Sequence, residues 1–279
     1  MLVLETVAAF RAARQPRGVL GLVPTMGFLH AGHLALVEQA RAENQAVAVS
    51  VFVNPTQFGP NEDLARYPRD LPRDLQMLEA AGTDLVFVPS VEQVYPADFS
   101  TSVDVSGVTG VLEGAVRPGH FRGVATVVCK LFNIVDAERG YFGQKDVQQT
   151  VVIRRMARDL NLRTKVVVVP TVREPDGLAL SSRNTYLNPE QRAAAPVLFR
   201  ALEAARGRWE AGEQSAAVLR EVINGVLARE SLARVDYVSV ADPETLVELD
   251  HAAQGAIISL AVRIGKTRLI DNLILPPGE

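Results

Sequence analysis

The sequence predicts an α/β protein with two domains of different architecture, and three observations support this prediction. Between residues 19 and 170, short apolar runs alternate with helical patterns, which is typical of a parallel sheet covered on both faces by helices. After residue 170, two helical patterns are followed by three strand patterns, which predicts a smaller α+β domain with antiparallel strands. The chain has 279 residues, 48% of them hydrophobic, which is enough for two domains with separate cores.

The first domain, assigned to residues 1–173, is predicted to be Rossmann-like. Its strands are predicted at 19–23, 46–53 and 84–88, which are nearly continuous apolar runs, and at 139–142 and 164–170. Helical patterns lie between the strands at about 31–44, 68–81, 121–135 and 146–159. Within the pattern at 121–135, apolar residues form one wide stripe, which indicates a buried helix. Residues 89–120 show neither pattern and are predicted to be mostly loop.

The second domain, assigned to residues 174–279, begins after a turn-rich segment. Its helices are predicted at about 189–210 and 214–230, and its strands at 234–240, 256–263 and 267–274. Gly265 and Lys266 separate the last two strands and predict a hairpin turn. The turn at Pro175-Asp176-Gly177 predicts a hinge near residues 171–180, about which this domain would close as a lid.

Composition excludes several classes of protein. The chain has 29 Lys and Arg against 32 Asp and Glu, so its net charge of −3 provides no global basic field for nucleic acid. The single cysteine, Cys129, excludes an intramolecular disulfide and a zinc site built from several thiolates. No apolar run reaches the roughly 18 residues that a membrane span needs. We therefore expect a cytoplasmic protein without a membrane or nucleic-acid partner.

The segment PTMGFLHAGH (24–33) lies where the first predicted strand ends and a helix begins. Open parallel sheets bind ligands at this edge, and the N–H groups at a helix start attract phosphate. His30 and His33 are three positions apart, so we expect them to share a face of the first helical turn and to donate hydrogen bonds to phosphate oxygens. Gly32 leaves room for a nucleotide ring to approach the backbone.

Two other interpretations of this histidine pair are structural capping and metal binding. The metal interpretation lacks a third ligand nearby, and two histidines in a glycine-interrupted turn favour a chemical role over capping alone. The chain contains neither a Walker loop nor GxGxxG. HAGH instead resembles the HxGH signature of nucleotidylyl-transferring and class I aminoacyl-tRNA-synthetase-like enzymes. That signature indicates chemistry at the α-phosphate of a nucleotide and leaves the acceptor open.

The segment VFVNPTQF (51–58) follows the second predicted strand and therefore faces the same edge of the sheet. Gln57 can both donate and accept hydrogen bonds. Phe52, Phe58 and Met26 could form the walls of a small apolar pocket. The alternative is an ordinary polar loop residue beside core aromatics.

Two later segments carry charge. In GQKD (143–146), Lys145 offers a positive charge to phosphate, and Asp146 could cap a helix or bind ribose hydroxyls. Gln149 is predicted to share their helical face. In LSSRN (180–184), hydroxyls and an arginine could bind a β,γ-phosphate tail. Each of these segments also has an ordinary structural interpretation as a helix start or a turn.

The motifs PTMGxLHxGH, FVNPxQF, FGxKDxQQ and GLALSSRN, in this order and spacing, resemble the pantoate–β-alanine ligase family over essentially the whole chain. Gln144 departs from the glutamate that the family pattern leads us to expect, and Leu180 stands where some members have methionine. Neither position needs charge chemistry, so neither departure changes the assignment.

The resemblance implies an enzyme that joins (R)-pantoate to β-alanine with ATP, giving pantothenate, AMP and diphosphate through a pantoyl adenylate. It also implies Mg²⁺ carried on the ATP phosphates with no protein metal ligand, and a homodimer. An adenylate is chemically reasonable, because a carboxylate is a poor acylating agent whereas its mixed anhydride with AMP has a good leaving group.

The resemblance also implies roles for individual residues. His33 would be the acid, His30 would stabilise charge beside it, and Lys145 would neutralise the triphosphate. The implied nucleotide-binding residues are Thr25, Met26, Gly27, Phe28, Leu29, His30, Ala31, Gly32, His33, Gly143, Gln144, Lys145, Asp146, Val172, Leu180, Ser181, Ser182 and Arg183. The implied substrate-binding residues are Gln57, Gln149, Met26, Phe52 and Phe58.

Two other functions remain open from the residues alone. A nucleotidylyltransferase with the same HxGH chemistry would keep the nucleotide on its product and need no amine, but the chain offers no basic pocket for a phosphorylated acceptor. A non-catalytic nucleotide sensor or tRNA-binding module would bind without turnover, and the acidic balance disfavours RNA.

Overall fold

The computed structural model describes residues 1–60, 62 and 64–277. The chain divides into two units. The first consists of Met1–Gln144 and Gln148–Pro170, and the second of Lys145–Val147 and Thr171–Glu279.

A six-stranded parallel sheet forms the centre of the first unit. Its strands are β1 (Leu2–Leu4), β2 (Leu20–Thr25), β3 (Ala46–Val51), β4 (Leu85–Phe87), β5 (Arg139–Gly143) and β6 (Lys165–Val169). They are arranged in the order β1-β4-β3-β2-β5-β6. Strands β2 to β4 extend the sheet in one direction, and the chain then returns to place β5 on the other side of β2. The carboxyl ends of β2 and β5 therefore flank a switch point, where sheets of this kind bind ligands.

Helices connect these strands in the described part of the chain. They are α1 (Val7–Arg14), α2 (Ala31–Glu43), α3 (Leu71–Ala80), α4 (Val91–Val94), α5 (Glu113–Val116), α6 (His120–Val135) and α7 (Val147–Asp159). α3 begins where the Asp70 side chain accepts a hydrogen bond from the N–H of Arg73, with a proline in its first turn. α6 is buried along most of its length, as its wide apolar stripe predicts. β2, β3, α2 and α3 share one apolar core that includes Val23, Val37, Val49 and Leu78.

The second unit contains helices α8 (Pro189–Ala194), α9 (Val197–Glu210) and α10 (Ala216–Leu227) and an antiparallel sheet of β7 (Ala233–Ala241), β8 (Ala256–Ile264) and β9 (Thr267–Leu275). β8 lies between the other two strands. The inner faces of α9, α10 and the sheet form the core, with Leu198, Leu202, Leu219, Ile258 and Leu260 almost completely buried. Gly265 has a φ of 62°, the left-handed backbone that the hairpin turn requires.

The predicted fold class is confirmed: a parallel α/β sheet is followed by a smaller α+β part with antiparallel strands. Three details differ. β1 and α1 were not predicted, and residues 89–120 contain the short helices α4 and α5. The single helix expected over 189–210 is interrupted between α8 and α9, because Pro196 has no N–H to continue the ladder. Among the described residues, no helix is long and apolar enough to cross a membrane.

Candidate active site

The two motif histidines form a reciprocal cap at the start of α2. His30 precedes the helix, and its Nδ1 accepts a hydrogen bond from the N–H of Gly32 at 3.1 Å. The Nδ1 of His33 accepts one from the N–H of His30 at 3.3 Å. The two ring centroids are 4.1 Å apart. Because each Nδ1 acts as an acceptor, the proton of each neutral ring is held on Nε2.

This arrangement corrects one expectation from the sequence. His30 is not part of the first helical turn, and the N–H groups of Gly32 and His33 are not available to phosphate, since the latter donates to the carbonyl of His30 at 2.8 Å. The capping interpretation and the chemical interpretation are therefore compatible. The caps orient both rings, and the rings present Nε2–H donors where bare backbone N–H groups were expected.

The loop between β2 and α2 turns through two consecutive left-handed residues, Gly27 with φ 83° and Phe28 with φ 53°. A Cβ on Gly27 would lie 3.0 Å from the Val51 side chain and 3.1 Å from the Asp74 carboxylate, so the turn needs glycine there. Leu29 is 1% exposed and packs in the core. Its side chain therefore anchors the loop to the core of the first unit.

Asp74 is a functional candidate that the sequence reasoning missed. Its carboxylate accepts hydrogen bonds from the N–H groups of Phe28 and Leu29, both at 2.7 Å. The residue is 1% exposed. It lies on α3, 46 positions from Phe28, so no local motif could have joined them.

Thr25 connects the two motif segments at the edge of the sheet. It is buried, and its hydroxyl donates to the carbonyl of Ser50 at 2.8 Å and accepts from the N–H of Gly27 at 3.2 Å. Its carbonyl accepts from the N–H of Phe52 at 3.0 Å. The ends of β2 and β3 are therefore joined through side chain and backbone.

The structure brings Gln57 and Met26 together. The amide nitrogen of Gln57 donates to the Met26 sulfur at 3.2 Å, and the amide oxygen accepts from Asn54 at 3.0 Å. Phe52 and Phe58 pack against different tyrosines: the former against Tyr95, with centroids 6.3 Å apart, and the latter against Tyr67, at 5.8 Å. Phe52 is 6% exposed.

A chain of hydrogen-bonded side chains supports the backbone of Gln57. The Gln57 carbonyl lies 2.8 Å from Nδ1 of His120, whose Nε2 lies 3.0 Å from the Arg117 guanidinium. Because an arginine can only donate, Nε2 accepts and the Nδ1–H donates to Gln57. Arg117 also donates to both carboxylate oxygens of Glu62, at 2.7 and 2.6 Å. This hydrogen bond from Arg117 lowers the pKa of Glu62.

The segment after β5 forms a 3-10 turn over Gln144–Asp146. Lys145 has a side chain 18% exposed, with Nζ 3.7 Å from the Asp146 carboxylate. Its carbonyl accepts a hydrogen bond from the side chain of Asn272 at 2.9 Å. Lys145 and Asp146 belong to the second unit, whereas Gln144 belongs to the first.

The two glutamines after this turn have different environments. Gln148 is 5% exposed and holds the loop before α5: it accepts from the N–H of Glu113 at 3.0 Å and donates to the carbonyls of Val108 and Val111. Gln149 is only partly buried. Gln148 is therefore a structural residue, and Gln149 is the one with a side chain accessible to a ligand.

The LSSRN segment is an ordered turn of the second unit. The N–H of Leu180 donates to the carbonyl of Val172 at 3.0 Å, and Ser181 caps a 3-10 helix over Ser182–Tyr186 by accepting from the N–H of Arg183. Arg183 is partly exposed. Among the described residues, no group of three or more His, Cys, Asp or Glu side chains could hold a metal ion.

Comparison with known proteins identifies the family. The family model described as pantoate-beta-alanine ligase matches residues 2–274.

The chain belongs to the pantoate-beta-alanine ligase family.

Relatives in this family match over nearly their whole length. A pantothenate synthetase of Chloroflexus aurantiacus is 69% identical over 276 residues, which are 99% of this chain and 98% of the relative. The crystal structure of pantothenate synthetase from Thermus thermophilus has a TM-score of 0.95 and 55% identity, covering 99% of this chain and 100% of that one.

A third member, the pantoate-beta-alanine ligase of Francisella tularensis, was crystallised with beta-gamma ATP and beta-alanine. It has a TM-score of 0.79 and 35% identity over 98% of this chain and 97% of that one. The family resemblance found in the motifs is confirmed, and so is the enzyme class. As a member of this family, the chain is a ligase that forms an amide bond.

Proposed function

We propose that this chain condenses (R)-pantoate with β-alanine at the expense of ATP, through a pantoyl adenylate, and releases pantothenate, AMP and diphosphate. The observation that carries the proposal is the pair of imidazoles at the switch point of the sheet. His30 and His33 are oriented by their own caps, and both hold the proton on Nε2. Two such donors suit charge that develops on an α-phosphate.

In the first step, a carboxylate oxygen of pantoate attacks the α-phosphorus of ATP, and the bond to diphosphate breaks. Negative charge grows on the α-phosphate oxygens and on the leaving group. The Nε2–H groups of His30 and His33 donate to this charge, and His33 acts as the acid. Lys145 and Arg183 neutralise the triphosphate tail. Mg²⁺ would be carried by the ATP phosphates, whose oxygens are the ligands it prefers.

Nucleotide binding is assigned to Thr25–His33, to Gly143–Asp146, to Val172 and to Leu180–Arg183. The geometry supports different contributions within the first segment. The N–H groups of Phe28 and Leu29 are bound by Asp74, so this part of the loop meets the nucleotide through carbonyls and the Phe28 ring.

Pantoate is assigned to Gln57, Gln149, Met26, Phe52 and Phe58. The Gln57 amide makes one hydrogen bond through its oxygen and one through its nitrogen, so each atom keeps capacity for a second bond to pantoate. The apolar residues suit the gem-dimethyl group of this substrate. In the second step the amine of β-alanine attacks the acyl carbon, and the bond to AMP breaks.

An acyl adenylate hydrolyses readily, so the site must exclude water. We assign ATP and pantoate binding to residues 1–173 and propose that residues 174–279 close as a lid, with the hinge near 171–180. The division of the chain between Pro170 and Thr171 supports a hinge at the start of this range. X-ray scattering should show a smaller radius of gyration with ATP, Mg²⁺ and pantoate than without them. An unchanged radius would contradict the lid.

We also propose that the enzyme is a homodimer of the cytoplasm with small-molecule substrates. The dimer rests on the family resemblance, and the cytoplasm on the single, unpaired cysteine. Light scattering behind size-exclusion chromatography should give twice the chain mass of 30.2 kDa.

The experiment that tests the function measures diphosphate with ATP, Mg²⁺ and (R)-pantoate, and then AMP and pantothenate after β-alanine is added. The expected result is a pantoate-dependent burst of diphosphate followed by turnover that requires the amine. Reactions without pantoate serve as the control. Turnover that does not need the amine would favour a nucleotidylyltransferase. Binding of ATP without release of diphosphate would favour a sensor.

A further inference from the structure

A buried carboxylate binds the backbone of the loop that precedes His30. Asp74 belongs to the first turn of α3 and is 1% exposed. Its N–H donates to the carbonyl of Asp70 at 2.9 Å, so the helix fixes its backbone. Its two carboxylate oxygens are used separately, Oδ2 by the N–H of Phe28 and Oδ1 by the N–H of Leu29. Short hydrogen bonds to an ionised acceptor are the strong kind.

The loop that Asp74 holds is an unfavourable one. Gly27 and Phe28 are both left-handed, and a non-glycine residue adopts that backbone only when its surroundings impose it. Arg73 adds a second restraint, because its guanidinium lies 5.5 Å from the centre of the Phe28 ring and 4.0 Å from the Asp74 carboxylate. The loop conformation therefore depends on contacts with α3.

The residue after this loop is His30, whose backbone begins the cap. Its N–H donates to Nδ1 of His33, and its own Nδ1 accepts from Gly32. A shift of Phe28 and Leu29 would move the N–H of His30 and change both caps. Both Nε2 atoms would then lose their fixed position and protonation.

We infer that Asp74 is a positioning residue, whose carboxylate fixes the β2–α2 turn and thereby the placement and the Nε2–H tautomer of His30 and His33. The inference depends on the proposed function only for the expected change in kcat. The tautomer and the geometry are measurable without turnover.

The test compares Asp74→Asn with Asp70→Ala. Asp74→Asn has the same shape but turns an N–H donor toward a backbone N–H. Asp70→Ala removes the cap of the same helix, an acceptor for the N–H of Arg73, but keeps both carboxylate oxygens of Asp74. We expect Asp74→Asn to lower kcat about 10- to 100-fold, as misplacement of reacting groups does. KM for β-alanine should stay within about twofold in both variants, and kcat should remain near wild type in Asp70→Ala.

The second readout is the ¹⁵N-edited NMR spectrum of the histidine side chains at about pH 8, where neutral rings dominate. In the wild type, His30 and His33 should show the Nε2–H pattern. Asp74→Asn should shift both toward a tautomer mixture and leave His120 and His251 unchanged as internal references. If wild-type diphosphate release failed but this shift occurred, the proposed function would be wrong and the positioning role would stand.

The inference is overturned if Asp74→Asn lowers the melting temperature as Asp70→Ala does but leaves both kcat and the histidine spectrum unchanged. Should Asp74→Asn not fold, Asp74→Ser replaces it, since the smaller hydroxyl cannot clash and keeps one acceptor oxygen. We expect the same changes in the His30 and His33 signals, and unchanged signals would again overturn the inference.

Discussion

At the scale of single residues, the same imidazole rings serve structure and chemistry through different nitrogens. The Nδ1 atoms of His30 and His33 complete the start of α2, and this leaves the Nε2–H groups as the donors directed by the cap. A residue that caps a helix is usually regarded as structural. Here the cap selects the tautomer, so removing one ring affects both functions, and variants must separate them.

His33→Ala should lower kcat by about 10²- to 10³-fold with a modest loss of ATP affinity, because one transition-state donor is removed. His33→Asn places an amide oxygen near the Nδ1 position and can keep the cap, yet it should be equally slow. His251→Ala is the control, since that histidine is exposed in the second unit. Steady-state kinetics and ATP titration measure both effects, and a loss of ATP affinity alone would contradict the role of His33.

Gln57→Ala should raise KM for pantoate about 10-fold with a smaller effect on KM for ATP, because hydrogen bonds to the substrate are lost. Gln76→Ala is the matched control, an exposed glutamine on α3. Equal changes for both substrates in Gln57→Ala would show that the variant disturbs the whole site.

At the scale of elements, α6 positions the turn that carries Gln57. The side chain of Asn54 donates to the carbonyl of Gly123 at 3.2 Å. A Cβ on Gly123 would collide with the carbonyl of Thr56 and come within 2.7 Å of the Gln57 Cα. The glycine is therefore needed for close approach of helix and turn, although its helical backbone would suit any residue.

Gly123→Ala should destabilise the protein by about 1–3 kcal/mol through overpacking, and should raise KM for pantoate because the turn must move. Gly225→Ala, in α10, is the control. Apart from its own helix backbone, no atom of the described residues lies within 4 Å of an added Cβ there, and the change should stabilise by about 0.5–1 kcal/mol. Thermal melts and pantoate kinetics would check both, and an unchanged KM in Gly123→Ala would contradict the coupling.

Local patterns predicted the longer elements of this fold, and contacts between distant residues account for most of what was missed. β2 and β3 are six-residue apolar strands, whereas β1 has three residues, too few to show a period. The break between α8 and α9 did have a signal, Pro196, but the Ala- and Arg-rich pattern on both sides concealed it.

The candidate site shows the same division. His30, His33 and Gln57 could be predicted as candidates because their motifs are continuous in the sequence. Asp74 and His120 were not, since they reach the motif backbone across 46 and 63 positions. Nothing in a single sequence marks a carboxylate that binds another element's N–H groups.

At the scale of the whole molecule, the folded state should lose stability in acid because some of its carboxylates are ionised and paired. Arg117 lowers the pKa of Glu62 below its usual 4.5. The ionised form is thus the one that the folded state stabilises. Its contribution is fully present above the unfolded pKa and is lost as the pH falls through the lowered, folded pKa.

Glu62→Gln should therefore reduce the free energy of unfolding by about 1 kcal/mol at about pH 7, and by much less once the pH is well below 4.5. Glu221→Gln, an exposed position on α10, should change it little at either pH. Melting temperatures of the three proteins across this range provide the measurement. If the wild type remained more stable than Glu62→Gln in acid, the ion pair could not be the source of the difference.

The place of β2 in the sheet has a consequence for synthesis on the ribosome. β2 lies between β3 and β5, and Gly21 pairs with Arg139. A nascent chain can join β2 to β3 early, but the other edge of β2 stays unpaired until β5 has emerged. Loop closure over such a separation is slow, and an open apolar edge invites pairing with other chains. Chaperones that bind extended apolar segments therefore have their longest opportunity at β2.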